Sequence, residues 1–389
     1  MSFRILTLNA ISERGLERMP RERYSVDAQL TEPDAILVRS ADLLSAEIPA
    51  SVKAIARAGA GTNNIPVAKM SARGVPVFNA PGANANAVKE LVLAGLLVAA
   101  RNVCPAWAYV RGLEGDEAAL EAAVEAEKAR FAGWELPGRT LGVLGLGAVG
   151  VLVANAALGL GMKVLGFDPQ LTVQRAWQLQ SGVEPARSVD DLLARSDVVT
   201  LHIPLTAATR ALIGGERLAL MRPGAVLLNF ARGPIVSEDE LRSALDAGQI
   251  SAYVCDFPSA ALKDHPKVVA LPHLGASTGE AEDNSAVMVV ETLMDYLENG
   301  NVRHAVNFPD AALGREPGTA RLAIANANVP NMVGQISTAL AAAELNIADL
   351  LNQSRGEVAY TIIDTDGAIP ERVLARIRAI RGILSARVL

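Results

Sequence analysis

The sequence predicts an α/β chain with two doubly wound parallel-sheet domains and a small C-terminal βαββαβ domain. Three observations lead there. Short apolar runs alternate with helical patterns over residues 1–80, and again from Thr140 onward. A glycine loop, Gly145-Leu146-Gly147-Ala148-Val149-Gly150, links an apolar run to a helical pattern at the head of the second block. After residue 319 the rhythm changes to strand, helix, strand, strand, helix, strand.

Taken in order, Ile5-Leu8, Ala35-Val38, Ala54-Ala56 and Pro76-Phe78 read as strands separated by polar or Gly-containing segments, the pattern of βαβ units. A helix is expected from about Ala85 to Trp107, and a further helical arm over 113–131, placed to lie against another subunit. Strands then follow at Leu141-Leu144, Lys163-Phe167, Val198-His202, Ala225-Asn229, Ser251-Val254 and Val268-Leu271. A helix over 280–298 ends at Asn299-Gly300, a favourable C-cap pair, and leads back to the first block. The first domain is therefore expected to be discontinuous, 1–95 with 280–308, around a second domain of 96–279. Residues 309–319 read as a linker by composition. The last domain, 320–389, has strands at 321–327, 347–354, 358–364 and 383–389 and helices at 332–344 and 370–379, a ferredoxin-like order.

Composition narrows the class. The 389 residues suit two or three domains, and the balance of 50% hydrophobic and 20% charged residues is that of a globular chain. Net charge is −6, and no face rich in Lys and Arg is evident, so nucleic acid is not an expected partner. Cys104 and Cys255 have neither disulfide-framework nor metal-site spacing and read as small buried hydrophobes, in keeping with a reducing cytoplasm. Residues 1–10 lack the features of a signal peptide. The run Val88–Ala100 is too short to span a bilayer and reads as a buried helix, so no membrane is expected.

The glycine loop carries the cofactor expectation. It follows a strand and opens a helix, and Asp168 ends the next strand eighteen residues after Gly150. Gly145 permits the tight turn, Gly147 lets the backbone approach a pyrophosphate, and Gly150 lets helix and sheet pack closely. The helix N-terminus offers unpaired N–H groups to an anion. Asp168 would accept hydrogen bonds from ribose hydroxyls and repel a 2′-phosphate, so NAD is favoured over NADP. This is a Rossmann/flavodoxin-like pattern.

Two side chains beyond later strands suit the chemistry. Of four histidines, His273 follows a strand of the second block, where ligands of open α/β sheets bind. His202 lies within a strand pattern and reads as a packed residue; His265 and His304 read as solvated. Arg232, in Asn229-Phe230-Ala231-Arg232-Gly233, is read as a buried cation that needs an anionic partner, such as a substrate carboxylate.

Together these stretches, with Leu37-Val38-Arg39-Ser40, Arg57-Ala58-Gly59-Ala60-Gly61-Thr62-Asn63-Asn64 and Pro272-His273-Leu274-Gly275-Ala276-Ser277-Thr278, resemble the D-2-hydroxyacid dehydrogenase family over essentially the whole chain. The last domain resembles an ACT regulatory domain. The resemblance implies a substrate domain hinged to an NAD domain. It also implies His273 as general acid/base and Arg232 as the carboxylate ligand that polarises the reacting oxygen. It further implies Arg39, Ser40, Arg57, Gly59 and Asn84 as substrate ligands, the arginines at a phosphate end. For the cofactor it adds Pro204, Thr209, Ala231, Asp256 and Gly275 to the loop and Asp168. The implied reaction is oxidation of D-3-phosphoglycerate to 3-phosphohydroxypyruvate, the first step of serine biosynthesis, by a homodimer or homotetramer. Alternatives are action on another D-2-hydroxy acid, including 2-oxoglutarate reduction, and an NAD-sensing co-regulator. Lys128 or Arg130 of the arm is a weaker candidate for reaching a neighbour's site.

Two departures from the family pattern stand out. The Glu that usually pairs with the histidine is missing from Cys255-Asp256-Phe257-Pro258-Ser259-Ala260-Ala261, so Asp264 or Asp256 is expected to back His273, with Lys263 as another possible participant. In the last domain, Asn326, Asn328 and Asn346 stand where a His and two Asn bind serine in the family. They are the candidate ligands for an L-serine effector, and a purely dimerising domain is the alternative.

Overall fold

Strands made of Ala, Ile, Leu and Val without polar alternation are strands covered on both faces, and the computed structural model, which describes residues 2–316 and 318–389, builds two parallel sheets from them. The first comprises β1 (Phe3–Leu8), α1 (Glu13–Leu16), β2 (Tyr24–Asp27), β3 (Ala35–Val38), β4 (Ala54–Arg57), α2 (Val67–Ala72) and β5 (Val77–Phe78), in strand order β2-β1-β3-β4-β5.

The second follows α3 (Ala85–Ala100), α4 (Val103–Arg111) and α5 (Glu117–Glu127). Its elements are β6 (Thr140–Leu144), α6 (Ala148–Gly159), β7 (Lys163–Phe167), α7 (Val173–Ala176), β8 (Val183–Pro185), α8 (Val189–Arg195) and β9 (Val198–Leu201). The rest are α9 (Gly215–Leu220), β10 (Ala225–Asn229), α10 (Glu238–Asp246), β11 (Ile250–Cys255) and β12 (Val268–Ala270). Its order is β12-β11-β10-β9-β6-β7-β8. Successive residues serve opposite faces: Leu141, Val143, Val226 and Leu228 join one core, and Leu144, Val199, Ala225 and Leu227 the other.

The chain then returns through α11 (Gly279–Asn299) to a domain of β13 (Ala320–Ala327), α12 (Met332–Ala341), β14 (Ile347–Arg355), β15 (Val358–Thr365), α13 (Glu371–Arg378) and β16 (Ile383–Val388). Its sheet is antiparallel, in order β14-β15-β13-β16, the ferredoxin-like arrangement.

Two compact units result: Met1–Asn84 with Gly279–Leu389, and Ala85–Thr278. The division falls at 84/85 rather than 95/96, because Ala85–Ala100 is one helix and packs as a whole on α6, β10 and β11. The helix expected to run to Trp107 is instead two helices bent by 67°, with Asn102 left-handed (φ 50°) at the break. The helical arm begins at Glu117, where the Asp116 carboxylate accepts the Ala119 N–H at 3.0 Å, and closes in a 3-10 turn over Lys128–Phe131. Strands β2 and β8, absent from the sequence reading, are both at sheet edges. Their Tyr-Ser-Val-Asp and Val-Glu-Pro sequences lack an apolar run, and Pro185 is tolerated there because an edge strand needs fewer donors.

Residues 309–316 are not a free tether. Val302 and Ala311 exchange backbone hydrogen bonds at 2.7 and 2.8 Å. The fully buried Arg321 donates to Leu313 O at 2.9 Å, Gly314 O at 2.7 Å and Asn299 O at 3.0 Å, and pairs with buried Asp364 at 2.6 Å. One face of the C-terminal sheet packs on its own helices through Leu322, Ile324 and Ile363. The other, through Ala323, Ala325, Tyr360 and Ile362, joins the core formed by α11 and the first sheet.

Candidate active site

In the sheet of residues 85–278 the strand order reverses between β6 and β9, and the carboxyl ends of strands at such a reversal are where ligands of open α/β sheets bind. The glycine loop occupies that position. Gly145 is left-handed (φ 95°), and a Cβ there would lie 2.6 Å from the His202 carbonyl oxygen. A Cβ on Gly150 would lie 1.9 Å from Gly145 O, so only glycine fits. Gly147 caps α6 and differs: nothing lies within 4 Å of a Cβ built there, and no side chain caps the helix. The residues therefore fit a dinucleotide. Open space and an uncapped helix N-terminus meet where a pyrophosphate would sit. The Asp168 carboxylate accepts Leu146 N–H at 2.9 Å and Gln170 N–H at 2.8 Å, fixing the loop to the end of β7 while leaving lone pairs for hydroxyl donors. Ala148 and Val149 form the first turn of α6.

Beyond β9, the His202 Nε2 lies 2.9 Å from Thr200 Oγ1, and burial pushes its pKa down to about 3, so the ring is neutral. The Thr209 hydroxyl donates to Pro204 O at 2.6 Å and accepts the Thr206 N–H at 2.7 Å, closing a turn at the same edge.

The reactive candidates stand at the other end of this edge. Asn229, fully buried at the end of β10, donates to Arg232 O at 3.0 Å and accepts the Ala231 N–H at 3.2 Å. That turn carries Arg232. The arginine is exposed rather than buried, its guanidinium donates to Ala231 O at 2.6 Å, and no described carboxylate pairs with it. The apolar neighbours read from sequence belong to the strand below, and the guanidinium clears them at the sheet edge.

Asp256 follows β11 and is 1% exposed. Its two oxygens accept the Leu274 and Gly275 N–H groups at 2.7 Å each. These amides directly follow His273, which is exposed, left-handed (φ 58°), and 5.1 Å from the Phe257 ring between centroids. Neither expected carboxylate holds the imidazole. Asp264 is exposed and paired with Lys263 at 2.5 Å, which also accounts for Lys263, and both Asp256 oxygens are taken by backbone amides. Asp256 supports the histidine loop through its main chain.

His265 is not solvated. Its side chain is 8% exposed, with Nε2 3.2 Å from Asp246 and Nδ1 accepting the Lys267 N–H at 3.1 Å. His304 is exposed. Cys255 is buried, and burial pushes its thiol pKa up; Cys104 is half-buried.

The first sheet has its own switch point between β1 and β3. Asn9, left-handed after β1, accepts the Ser40 N–H at 3.1 Å and the Ala41 N–H. Asn64 donates to Ala41 O at 2.7 Å from the other side. These amides shape the turn of Arg39 and Ser40. The Arg39 guanidinium bonds Glu282 of α11. Arg57 ends β4 in register with Val38, and its guanidinium lies over Gly59, where a Cβ would be 2.6 Å from Nη1. Arg39, Ser40, Arg57 and Gly59 thus gather at the carboxyl ends of two adjacent strands, and Asn84 is half-buried at the end of that segment. Asn9 and Glu282 escaped the sequence reading, and Asn64 and Asn229 entered it only as parts of longer motifs. For Asn9 and Asn229 the available signal was an Asn just past, or ending, an apolar strand.

In the C-terminal domain, Asn326 is 1% exposed, donating to Ala327 O at 2.8 Å and accepting from Thr361 Oγ1 at 3.3 Å. A buried amide already spent on its own sheet presents nothing to an effector. Asn328 and Asn346 are exposed and bonded to Gly356 O at 2.9 Å and to Asp366 at 2.6 Å. Lys128 and Arg130 pair with Glu125 and Glu127 on the surface of the arm.

Residues 93–275 match the NAD binding domain of the D-isomer specific 2-hydroxyacid dehydrogenases. A D-3-phosphoglycerate dehydrogenase of Mycobacterium leprae is 39% identical over 304 residues, 76% of this chain and 55% of that protein. One of Haemophilus influenzae is 33% identical over 341 residues, 85% of this chain and 79% of that protein. The chain thus spans little more than half of the mycobacterial relative. The structure of NAD+-bound 3-phosphoglycerate dehydrogenase of Entamoeba histolytica superposes with a TM-score of 0.60 at 25% identity, covering 79% of this chain and 99% of that one.

Proposed function

This chain belongs to the D-isomer specific 2-hydroxyacid dehydrogenase family, and we propose that it acts as a D-3-phosphoglycerate dehydrogenase, oxidising D-3-phosphoglycerate to 3-phosphohydroxypyruvate. The observation that carries this reading is the shared edge: Arg232 and His273 stand beyond β10 and β12 of the same parallel sheet whose β6 ends in the glycine loop.

In this reading Arg232 takes the substrate carboxylate through its guanidinium fork. Neutral His273 accepts the C2 hydroxyl proton, and as imidazolium it returns the proton in reduction, a contribution of roughly 10²–10⁴ in rate. The glycine loop and Asp168 would hold NAD, which would supply the hydride acceptor. Asp256 and Asn229 act as positioning residues, holding the His273 and Arg232 backbones respectively. Arg57, with Ser40, Gly59 and Asn84, binds the substrate's phosphate end. The bond between Arg39 and Glu282 favours a second reading, because an arginine already neutralised is a weaker phosphate ligand. In that reading the substrate is an unphosphorylated 2-hydroxy or 2-oxo acid such as 2-oxoglutarate.

The ferredoxin-like domain supports an ACT-type regulatory role, with Asn328 and Asn346 as the remaining serine ligands. The exposed Val103, Trp107 and Val110 of α4 support a homodimer or larger homo-oligomer.

Steady-state assays decide between the substrates. NADH formation from D-3-phosphoglycerate with kcat/KM well above that for 2-oxoglutarate reduction supports the first reading. The reverse ranking supports the second, and NAD binding without turnover of either acid refutes both.

A further inference from the structure

A cavity of about 320 Å³ lies where the C-terminal domain meets the first domain, within one compact unit. Every charged residue lining it is a cation: Lys53 and Arg73 from the first domain, Arg378 and Arg387 from the C-terminal domain. Two are balanced from outside the lining, Lys53 by Asp34 at 2.9 Å and Arg378 by Glu371 at 3.0 Å. The other two have only neutral partners among the described residues. Arg73 donates to the Ile48 and Pro49 carbonyls at 2.9 and 2.7 Å. Arg387 donates to the Tyr296 and Leu297 carbonyls and lies 4.2 Å from the Tyr296 ring centroid. Its Nε is buried and makes no hydrogen bond.

Carbonyl oxygens fix the position of a guanidinium but do not neutralise it. Two uncompensated guanidinium groups sharing one small cavity repel each other in a medium of reduced dielectric. A buried donor without an acceptor calls for an explanation. An oxyanion answers both demands, since it accepts several hydrogen bonds and brings the missing charge. The volume suits a small ligand and lies at the lower end of ligand pockets.

We propose that this cavity is a binding site for a phosphate-type oxyanion, either free phosphate or the phosphate group of a small phosphorylated acid. The occupant bridges the two domains. Lys53 immediately precedes β4 and Arg73 follows α2, while Arg387 belongs to β16 and Arg378 ends α13. The Ser385 hydroxyl, which donates to Gly74 O at 3.0 Å, already ties the same two segments together. Binding therefore stabilises the docked position of the C-terminal domain by mass action. The site would exist whatever the chain's substrate.

The test is calorimetric titration of the full chain with inorganic phosphate, against chloride at equal ionic strength. It is paired with hydrogen–deuterium exchange over residues 48–53, 73–75 and 384–387. Saturable phosphate-specific heat is expected, with slowed exchange in those segments, and Arg73→Gln and Lys53→Gln should each weaken binding by about tenfold. The Lys53 head group is partly exposed, so its substitution keeps the proposal testable if Arg73→Gln loosens the Ile48–Pro49 segment. A parallel titration with D-3-phosphoglycerate identifies the source. A component lost in both variants but tighter than phosphate points to a phosphorylated acid, and one of equal affinity points to free phosphate. Absence of phosphate-specific heat, heat unchanged by both substitutions, or protection confined to other segments overturns the proposal.

Discussion

The two ends of the sheet edge in residues 85–278 are built on opposite plans. At the nucleotide end the backbone itself is the device. Gly145 and Gly150 are held against carbonyl oxygens at distances no side chain tolerates, Gly147 alone is left open, and Asp168 ties the loop to the next strand. At the reactive end the candidate side chains, Arg232 and His273, stand exposed, His273 in a left-handed conformation. They are aimed indirectly, through buried Asn229 and Asp256, each bonded to main-chain groups beside them. One end is fixed by steric exclusion, which no partner can relax. The other is fixed by a few hydrogen bonds, which a single substitution can undo.

That contrast can be broken at either end. The largest effect is expected from Gly150→Ala, whose Cβ would lie 1.9 Å from Gly145 O. It should abolish NAD binding and lower stability by about 3 kcal/mol or more, read by NADH fluorescence titration and thermal denaturation. A variant that binds NAD normally would show that the loop is not rigid. Next, His273→Asn should lower kcat by roughly 10²–10⁴ while leaving NAD affinity and stability unchanged, since the ring is exposed. Loss of NAD binding in that variant would mean the two ends are not independent.

Asp256→Asn should fall between these. An amide NH2 would face one of the two N–H groups, at a cost of about 1–3 kcal/mol, with a loss in kcat and little change in NAD affinity. An unchanged kcat would remove its positioning role. His202 gives an effect that is absent at neutral pH and grows only on acidification. Its folded pKa of about 3 lies below the ordinary 6.5, so the unfolded chain takes up the proton first. The stability it supports is present above pH 6.5 and falls as pH drops toward 3, by about 1.4 kcal/mol per unit at most. His202→Gln should flatten that acid limb in urea melts at successive pH values. The smallest structural effect belongs to Gly147→Ala, which has open space and ordinary dihedrals. Its melting temperature should be unchanged while NAD binding weakens, the reverse signature to a packing glycine.

Much of the molecule was legible in the sequence because its signals are local. An apolar run without alternation marks a strand covered on both faces, as in Ala35–Val38 and Ala225–Asn229. The glycine spacing and the acidic residue after the next strand are likewise properties of one βαβ unit. What failed to show was set at a distance. Tyr24–Asp27 and Val183–Pro185 are strands only because a neighbouring edge pairs with them. Arg232 reads as buried from its neighbours, yet the turn held by Asn229 carries it clear of the core.

The sequence by itself determined the two parallel sheets, the ferredoxin-like order and the glycine loop, and it singled out His273 and Arg232 as candidates, because periodicity and turn chemistry act over a few residues. Only the tertiary structure decided what stands behind them. It tied Asp256 to the histidine loop, kept Asp264 with Lys263, set Glu282 on Arg39, buried Asn326 in its own sheet, and pinned Leu313 and Gly314 through Arg321. A hydrogen-bonding side chain has several possible partners of similar chemistry, and the choice among them rests on which groups the packed chain brings within about 3 Å, a distance no spacing in the sequence encodes.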